Sequence, residues 1–359
     1  MVDACDACLR RTDLLAGIAA RLDIEWRRRR SRARVLALPD EVLLELDPTG
    51  EALRRHEAFD PAAARAALQQ SGLSALCRCG SRYPDRLREL EDPPAVLHVA
   101  GRIAALYDPE SVGVVGARRA TAYGLEVARS LGRSLSAAGV PVVSGLALGV
   151  DSAAHAGAVE GAAAPVAVLA GGADVPYPAR MRTLYARVVR SGCAVSELPP
   201  GFGAHRWCFV ARNRIIAALS AVTVVVEAAE RSGSLTTADF AAQMGRTVGA
   251  VPGPVTSPLS AGTNGLIESG AALIRDAGDV VEHLSGVLLV EPVGVTSPPR
   301  PELDPIQRRV LERVAGGRDT LARLVTTTDD PREVLAALTA LELAGQVRRC
   351  FGGRYVPIA

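Results

Sequence analysis

Arginine and aromatic side chains are concentrated in residues 175–226, and both residue types can bind a nucleic-acid strand. The stretch holds one acidic residue, Glu197, although the whole chain is nearly balanced, with 41 basic and 39 acidic residues. Its basic residues are Arg180, Arg182, Arg187, Arg190, Arg206, Arg212 and Arg214. Phe202, Trp207 and Phe209 flank Arg206, in a chain that is only 4% aromatic. Arginines bind phosphates and aromatic rings stack on unstacked bases. The pattern therefore predicts a single-strand groove, and the alternative is a solvated basic face above aromatic core residues.

Short apolar segments alternate with helical patterns from residue 111 onward. The predicted strands are residues 112–115, 141–144, 165–169, 194–196, 221–226 and 247–251. This alternation predicts an α/β fold with a doubly wound, mainly parallel sheet that helices cover on both faces. Ligands of such sheets bind at the carboxyl ends of the strands. The loops at those ends are therefore the places to search for a site.

Three of these loops place small residues or hydroxyls at the start of a helix, where free N–H groups bind anions. The candidate residues are Gly116, Arg118 and Thr121 after the first strand, Ser144 and Gly145 after the second, and Ser232, Gly233 and Ser234 after the fifth. They could hold successive phosphates of a strand, or one dinucleotide. The G-x-G-x-x-G spacing of dinucleotide sites is missing, and glycines that only form tight turns are a further alternative.

Helical modules are predicted on both sides of this sheet. Residues 1–75 contain helical patterns at 13–22, 36–46 and 61–73, separated by proline boundaries, and the six arginines between Arg27 and Arg34 are either phosphate contacts or a solvated surface. Residues 76–290 form the sheet domain and residues 291–302 a proline-rich linker. Residues 303–359 read as three helices (305–314, 321–325 and 331–343) and a hairpin at 346–356, which predicts a winged helix.

Two kinds of partner, a protein or duplex DNA, fit the predicted winged helix. Arg348, Arg349 and Arg354 lie on the predicted wing and could contact phosphate. The third helix carries Glu333 and Glu342, which makes it a poor reader of the major groove. Contact with a protein is therefore as good a hypothesis as contact with duplex DNA.

Composition excludes several classes of chemistry. The chain contains no lysine, which rules out a Walker A lysine and a Schiff base. No apolar segment is long enough for a membrane span, and the first residues lack a signal-peptide core, so we expect a cytoplasmic protein.

Cys5 and Cys8 form a C-x-x-C pair, and Cys77 and Cys79 form a C-x-C pair. Four thiolates could hold a structural zinc, but because the second spacing is tight and the pairs lie far apart, we favour free thiols and predict neither a metal nor a cofactor.

Six ordered motifs lie between residues 80 and 285. They are VGARRATAYG (115–124), SGLALGVDSAAH (144–155), FVARNRII (209–216), SGSLTTA (232–238), VPG (251–253) and GTNGLI (262–267). Together they resemble the DNA-processing protein A family, known as DprA or Smf. The helical segment before them and the winged helix after them match a common architecture of that family, in which the first module resembles a SAM domain.

The resemblance implies an extended Rossmann-like fold and a homodimer that binds and protects single-stranded DNA and loads the RecA recombinase onto it, in natural transformation among other processes. It implies a binding protein rather than an enzyme. It also implies DNA contacts from Gly116 and Arg118, from Arg206, and from either Arg180 or Arg182. One departure is Val210, where the family usually has proline.

The working hypothesis is a sequence-independent clamp. In it, Arg118, Arg206, Arg212 and Arg214 bind phosphates, Trp207 or Phe209 stacks on a base, and Asn213 holds a loop by hydrogen bonding to backbone. Two alternatives belong to other classes. One is a hydrolase of nucleotide ribosides with Glu197 or Glu227 as its acid, although the proline-glycine-glycine signature of such enzymes is missing. The other is a duplex-DNA regulator that acts through the winged helix.

Overall fold

The protein divides into two compact units, Met1–Leu288 and Leu289–Ala359. The computed structural model describes residues 2–28, 35–285, 303–326, 329–344, 346–350 and 354–357. Side chains at 26–28, 285, 343, 348–350 and 354 lie outside that description. The predicted linker, the predicted contacts from the arginines between Arg27 and Arg34, and those from Arg348, Arg349 and Arg354 therefore fall outside the described residues.

The described residues of the first unit form a ten-stranded sheet. Its strands are β1 (Val2–Asp3), β2 (Ser74–Cys77), β3 (Val96–Gly101), β4 (Val112–Val115), β5 (Val142–Ser144), β6 (Val166–Val168), β7 (Cys193–Ser196), β8 (Val222–Val225), β9 (Thr247–Ala250) and β10 (Ala272–Leu273). Their order is β1-β2-β3-β7-β6-β5-β4-β8-β9-β10. In this spatial order, the last seven strands (β7, β6, β5, β4, β8, β9 and β10) are parallel to one another. Strand β3 runs antiparallel to both of its neighbours, β2 and β7. The predicted mainly parallel, doubly wound sheet is confirmed.

Helices cover both faces of this sheet. They are α1 (Asp6–Gly17), α2 (Ala19–Arg28), α3 (Asp40–Leu44), α4 (Glu51–Glu57), α5 (Pro61–Ser71), α6 (Asp85–Arg88), α7 (Ala122–Ala137), α8 (Val150–Ala158), α9 (Arg182–Ser191), α10 (Arg206–Leu219), α11 (Leu235–Gln243), α12 (Ala261–Glu268) and α13 (Ala277–Ser285). Side chains alternate along each strand, so Val114 packs with α7 and α8 while Val115 packs with α10 and α11. The helices that follow β4 and β8 therefore lie on opposite faces of the sheet.

The N-terminal helical segment shares its core with the sheet. β1 pairs with β2 in the main sheet, and the predicted boundary at residue 75 lies within β2. Leu22 and Leu43 pack in the same hydrophobic cluster as Trp207 of α10. The helix predicted at 13–22 is divided between α1 and α2, and that at 36–46 shortens to α3, which begins after Pro39.

The second unit has the predicted winged-helix elements. They are α14 (Pro305–Ala315), α15 (Leu321–Leu324), α16 (Pro331–Leu343) and the antiparallel hairpin of β11 (Val347–Cys350) and β12 (Arg354–Pro357). Asp304 and Asp330 accept hydrogen bonds from backbone N–H groups at the starts of α14 and α16, each followed by proline at the first helical position. Val310, Leu324 and Leu338 lie at its core.

Within the described ranges, no helix is both long and apolar enough to cross a bilayer.

Candidate nucleic-acid interface

A crevice opens between β4 and β8 at the carboxyl ends of the strands. The chain leaves β4 toward α7 and β8 toward α11, on opposite faces of the sheet, and this arrangement creates a topological switch point. The crevice has a volume of about 470 Å³ and is lined by the loops after β4, β5 and β8 and by one side of α10. Of the predicted site residues, it brings together Gly116, Arg118, Arg212, Asn213, Ser232, Gly233 and Ser234.

An arginine–aromatic cluster lies at the mouth of the crevice. The guanidinium carbon of the exposed Arg118 lies 4.6 Å from the centroid of the Phe209 ring, which is cation–π geometry. The Phe209 ring is 5.6 Å from that of Tyr177, a residue that is 54% exposed. Arg118 and Phe209 also line a smaller pocket of about 110 Å³ together with Tyr177. A cation and two accessible aromatic faces therefore meet at one place on the surface.

Arg212 forms the floor of the crevice. Its side chain is buried, donates a hydrogen bond of 3.0 Å from Nη1 to the Val168 carbonyl, and lies 3.7 Å from an Asp151 carboxylate oxygen. Burial lowers the pKa of Arg212 and raises the pKa of Asp151, and their mutual attraction opposes both shifts. Glycine at position 145 leaves room for this guanidinium, because a Cβ there would lie 1.2 Å from Arg212 Nη1 and displace it. The phosphate contact predicted for Arg212 stays a prediction, restricted to a strand that reaches the floor.

The loop after β5 does not supply the anion donors predicted for it. The Ser144 hydroxyl is buried and donates to the Val114 carbonyl over 2.6 Å. The Gly145 N–H donates to the Asp151 carboxylate over 3.1 Å. The contacts predicted from the Ser144 hydroxyl and the Gly145 N–H are therefore wrong, because both donors already have buried partners within the protein.

Glu227 holds the glycine–arginine loop after β4. Its carboxylate accepts from the Thr121 N–H and the Thr121 hydroxyl, each over 2.8 Å, and the same hydroxyl accepts from the Gly124 N–H as the cap of α7. The direct contact predicted for Thr121 is wrong, since both of its donors are occupied. Gly116 allows the loop to approach α8, because a Cβ there would lie 2.7 Å from a Val150 methyl group. The result is a fixed loop that presents Arg118.

Asn213 holds the loop after β8, as predicted. Its Nδ2 donates to the Gly233 carbonyl over 3.1 Å and to the Thr236 hydroxyl over 2.8 Å. The Ser232 and Ser234 hydroxyls lie 2.7 Å apart, bonded to each other. Ser232, Gly233 and Ser234 all line the crevice. The hydrogen bonds of Asn213 therefore fix the position of this loop relative to α10.

Arg214 and Trp207 are core residues, which corrects two predictions. The Arg214 side chain is 2% exposed and makes ion pairs with Asp92 at 3.0 Å and with Glu197 at 2.7 Å. Because these carboxylates surround its guanidinium, Arg214 cannot contact a phosphate. Trp207 is 1% exposed and packs against the N-terminal helices, so it cannot stack on a base, whereas Phe209 can.

Three predicted arginines are exposed and do not line the crevice. Arg206 is the first residue of α10, one turn before Phe209, and Asp23 of α2 accepts the next N–H, that of Trp207, over 2.9 Å. Arg180 lies in a short 3₁₀ turn and Arg182 begins α9, shortly after Tyr177. Their contacts with DNA stay predictions, and the choice between Arg180 and Arg182 stays open.

Sequence reasoning missed three exposed residues of this site. Arg119 and Arg231 line the crevice, and Tyr177 lines the smaller pocket. Arg119 follows Arg118 in the first loop and Arg231 immediately precedes the serine loop, so their positions beside predicted loops were a usable signal. For Tyr177 the usable signal was its place in a Tyr–Pro pair, Tyr177 and Pro178, shortly before Arg180.

Two known families match separate parts of the chain. Residues 74–285 match the family described as DNA recombination-mediator protein A, and residues 295–353 match the DprA winged helix domain. The chain belongs to the DNA recombination-mediator protein A family. The six motifs of that resemblance all lie within the first match, and they include the loops that line the crevice.

Individual members of the family show how far the similarity extends. A putative DNA processing protein DprA of Mycobacterium tuberculosis (strain CDC 1551 / Oshkosh) is 42% identical over 252 residues, which are 69% of this chain and 64% of that protein. The match thus spans less than two thirds of that relative. The match with the X-ray structure of DprA from Streptococcus pneumoniae covers 77% of this chain and 95% of the Streptococcus pneumoniae chain, with 30% identity and a TM-score of 0.62.

A second solved structure is described in terms of its binding of single-stranded DNA. DNA processing protein A from Helicobacter pylori covers 60% of this chain and 96% of its own, with 30% identity and a TM-score of 0.54. Its description refers to a unique single-stranded DNA binding mode of that protein. Both structures support the sheet architecture described above.

Proposed function

We propose that this chain binds single-stranded DNA along the crevice between β4 and β8, without regard to sequence. The observation that carries the proposal is the pair of Arg118 and Phe209, an exposed cation over an aromatic face at the switch point of the sheet. Tyr177 offers a second, more exposed ring beside it. A phosphate bound by Arg118 would leave the adjacent base within reach of these rings.

The charge of the crevice favours a polyanion. Arg118, Arg119 and Arg231 are exposed on its lining. Asp151 is the single acid among the described residues that line it, and it is buried against Arg212. A cationic surface with accessible rings suits a strand with unstacked bases better than a duplex, whose bases are paired and stacked.

We propose further that the protein is a binding protein and not an enzyme. The two acids that a riboside hydrolase would use already serve other side chains. Glu197 accepts hydrogen bonds from Arg214, and Glu227 accepts them from Thr121. Each contact favours a structural role. Incubation with nucleoside monophosphates should release no free base, and release that depends on Glu227 would contradict this proposal.

The wider role rests on the family. The description of the Helicobacter pylori structure names single-stranded DNA, and the name of the family refers to recombination. We therefore propose that this chain acts as a cytoplasmic homodimer that loads RecA onto single strands, including those taken up in transformation. In a RecA ATPase assay on strands covered by single-strand binding protein, the chain should shorten the lag. An unchanged lag at saturating protein would contradict loading but not strand binding.

The direct test is competition between strand types. A labelled oligonucleotide is bound and displaced by unlabelled single-stranded or duplex DNA of the same sequence, with fluorescence anisotropy as the readout. We expect single strands to compete at least tenfold better. Phe209→Ala should weaken single-strand binding by about 5- to 150-fold, the range of about 1–3 kcal/mol for one stacked base.

The matched control is Arg129→Ala. Arg129 is an exposed arginine of α7 that pairs with Glu160, and it does not line the crevice. It has the same charge as Arg118, so its loss tests for a nonspecific charge effect. Equal losses in Arg118→Ala and Arg129→Ala, or no preference for single strands, would contradict the proposed site.

A further inference from the structure

Four cysteines that lie far apart in the sequence meet at one edge of the sheet. β1 runs parallel to β2, with Val2 opposite Ala75 and Asp3 opposite Leu76. This register carries the chain that follows β1 to the end of β2. The pair Cys5 and Cys8 therefore meets the pair Cys77 and Cys79, more than 70 residues later in the chain.

The sulfur atoms have the spacing of metal ligands. Those of Cys5, Cys8 and Cys79 all lie within 4.8 Å of one another. Cys8 Sγ and Cys79 Sγ are 3.7 Å apart. Four thiolates arranged tetrahedrally around zinc at about 2.3 Å are about 3.8 Å from one another. A disulfide would need about 2.05 Å between two sulfurs, so the observed separation fits shared ligation and not a bond.

Cys77 contacts this cluster at Cys5, although its sulfur is outside the group of three sulfurs that lie within 4.8 Å of one another. Its sulfur accepts a hydrogen bond from the Cys5 N–H over 3.4 Å. Backbone N–H groups directed at ligand sulfurs are typical supports of metal sites. Cys8 and Cys77 are buried, while Cys5 and Cys79 are exposed, so the cluster is closed on its inner side and open to an incoming ion.

Local structure explains how the unusual C-x-C spacing is accommodated. Cys77 and Cys79 belong to a turn that the Gly80 N–H closes on the Cys77 carbonyl over 2.9 Å. Cys5 immediately precedes α1 and Cys8 lies in its first turn. One turn and one helix start thus supply two ligands each, and β-sheet pairing joins them.

We propose that Cys5, Cys8, Cys77 and Cys79 bind one zinc ion in a closed structural site. Thiolates are soft ligands that select zinc over magnesium, calcium or manganese, and four protein ligands leave no position for a reacting water. Each thiol releases its proton to solvent when it becomes a ligand. The ion fastens α1 to the end of β2 and so attaches the N-terminal helices to the sheet. The site is independent of the proposed DNA binding.

The test is the metal content and coordination of the full chain. The protein, purified without chelators under reducing conditions, should contain one zinc per chain by plasma mass spectrometry. X-ray absorption should show four sulfur neighbours at about 2.3 Å. Cys79→Ser should lower the zinc content at least tenfold, and its near-ultraviolet circular dichroism should show that it remains folded. Cys193→Ala, which removes a buried thiol outside the cluster, should retain the zinc.

Any of three outcomes would overturn the proposal. One is a chain that takes up no zinc when offered one equivalent after reduction. Another is a Cys79→Ser variant that holds zinc as tightly as the wild type. The third is a Cys8–Cys79 disulfide found by mass spectrometry in freshly purified, unreduced protein. In hydrogen exchange, zinc removal should increase exchange in α1 and leave α14 and α16 unchanged.

Discussion

Replacing Arg214 by methionine should destabilise the first unit strongly while removing no DNA contact. The guanidinium makes ion pairs with Asp92 and Glu197, and it also donates to the Ala211 carbonyl over 2.8 Å. Both acidic side chains are only 6% exposed. Methionine fills a similar volume without the charge, so the variant leaves two carboxylates buried close together with no cation between them.

The magnitude follows from this arrangement. Removing one partner of a buried ion pair costs about 3–5 kcal/mol, because the remaining charge stays uncompensated. Two carboxylates depend on Arg214, which favours the upper end, but one of them can take up a proton, which limits the loss. We expect a decrease of about 4 kcal/mol in the free energy of unfolding at pH 7.

Urea titration with tryptophan fluorescence measures this change. Both tryptophans, Trp26 and Trp207, belong to the first unit, so the signal reports its unfolding. The control is Arg129→Met, whose exposed pair with Glu160 should contribute about 0.2–1 kcal/mol. An Arg214→Met loss no larger than that of the control would refute the assignment of Arg214 to the core.

The same variant has a pH signature. Burial raises the pKa of Asp92 despite its ion pair, and loss of the Arg214 charge should raise it further. A carboxyl with a raised pKa in the folded protein stabilises the fold below its unfolded pKa, and this contribution is lost as the pH rises. The deficit of Arg214→Met should therefore be smaller at pH 5 than at pH 8. An equal deficit at both pH values would indicate a packing defect instead.

Three further predictions concern the interior and the loops. Gly145→Ala should cost about 1–3 kcal/mol in urea titration, because its methyl group displaces the guanidinium of Arg212; unchanged stability would contradict this close approach. Asn213→Ala should increase hydrogen exchange in residues 232–234, since it removes their support, and unchanged exchange would show that the loop holds itself. Burial lowers the pKa of His98 and of His155 to about 4, below the unfolded value of 6.5. The unfolded chain therefore binds more protons between these values, and stability should fall by up to about 2 kcal/mol per histidine from pH 7 to pH 5. Replacing both by glutamine should flatten this dependence, and an unchanged pH slope would contradict it.

The sheet could be read from the sequence because its strands are apolar and regularly separated by helices. The strands from β4 to β9 lie within a residue or two of the predicted segments. The strands β1, β2, β3 and β10 were missed, and for β1 the reason is physical. β1 has two residues, and the register that joins it to β2 is set by contacts more than 70 residues apart. Local periodicity carries no such information, and the meeting of the four cysteines was hidden with it.

The site was predicted in outline, but the side of α10 on which each residue lies was not. Phe209, Arg212 and Asn213 recur at helical spacing and line the crevice. Arg214 lies about 200° around the helix from Arg212, but Val210 is equally far from Arg212 and still lines the crevice, so the helical period alone does not exclude Arg214. Its ion pairs with Asp92 and Glu197 do. The burial of Arg214 against Asp92, 122 residues away in the chain, could not have been read from the sequence.

The most direct measurement is the salt dependence of single-strand affinity. If Arg118, Arg119, Arg206 and Arg231 each neutralise one phosphate, the logarithm of the binding constant should fall against the logarithm of salt concentration with a slope of about −2.8. Arg118→Ala should reduce the slope to about −2.1 and weaken binding, whereas Arg129→Ala should leave both unchanged. A wild-type slope near zero, or an Arg118→Ala slope equal to that of the wild type, would contradict a phosphate clamp at this crevice.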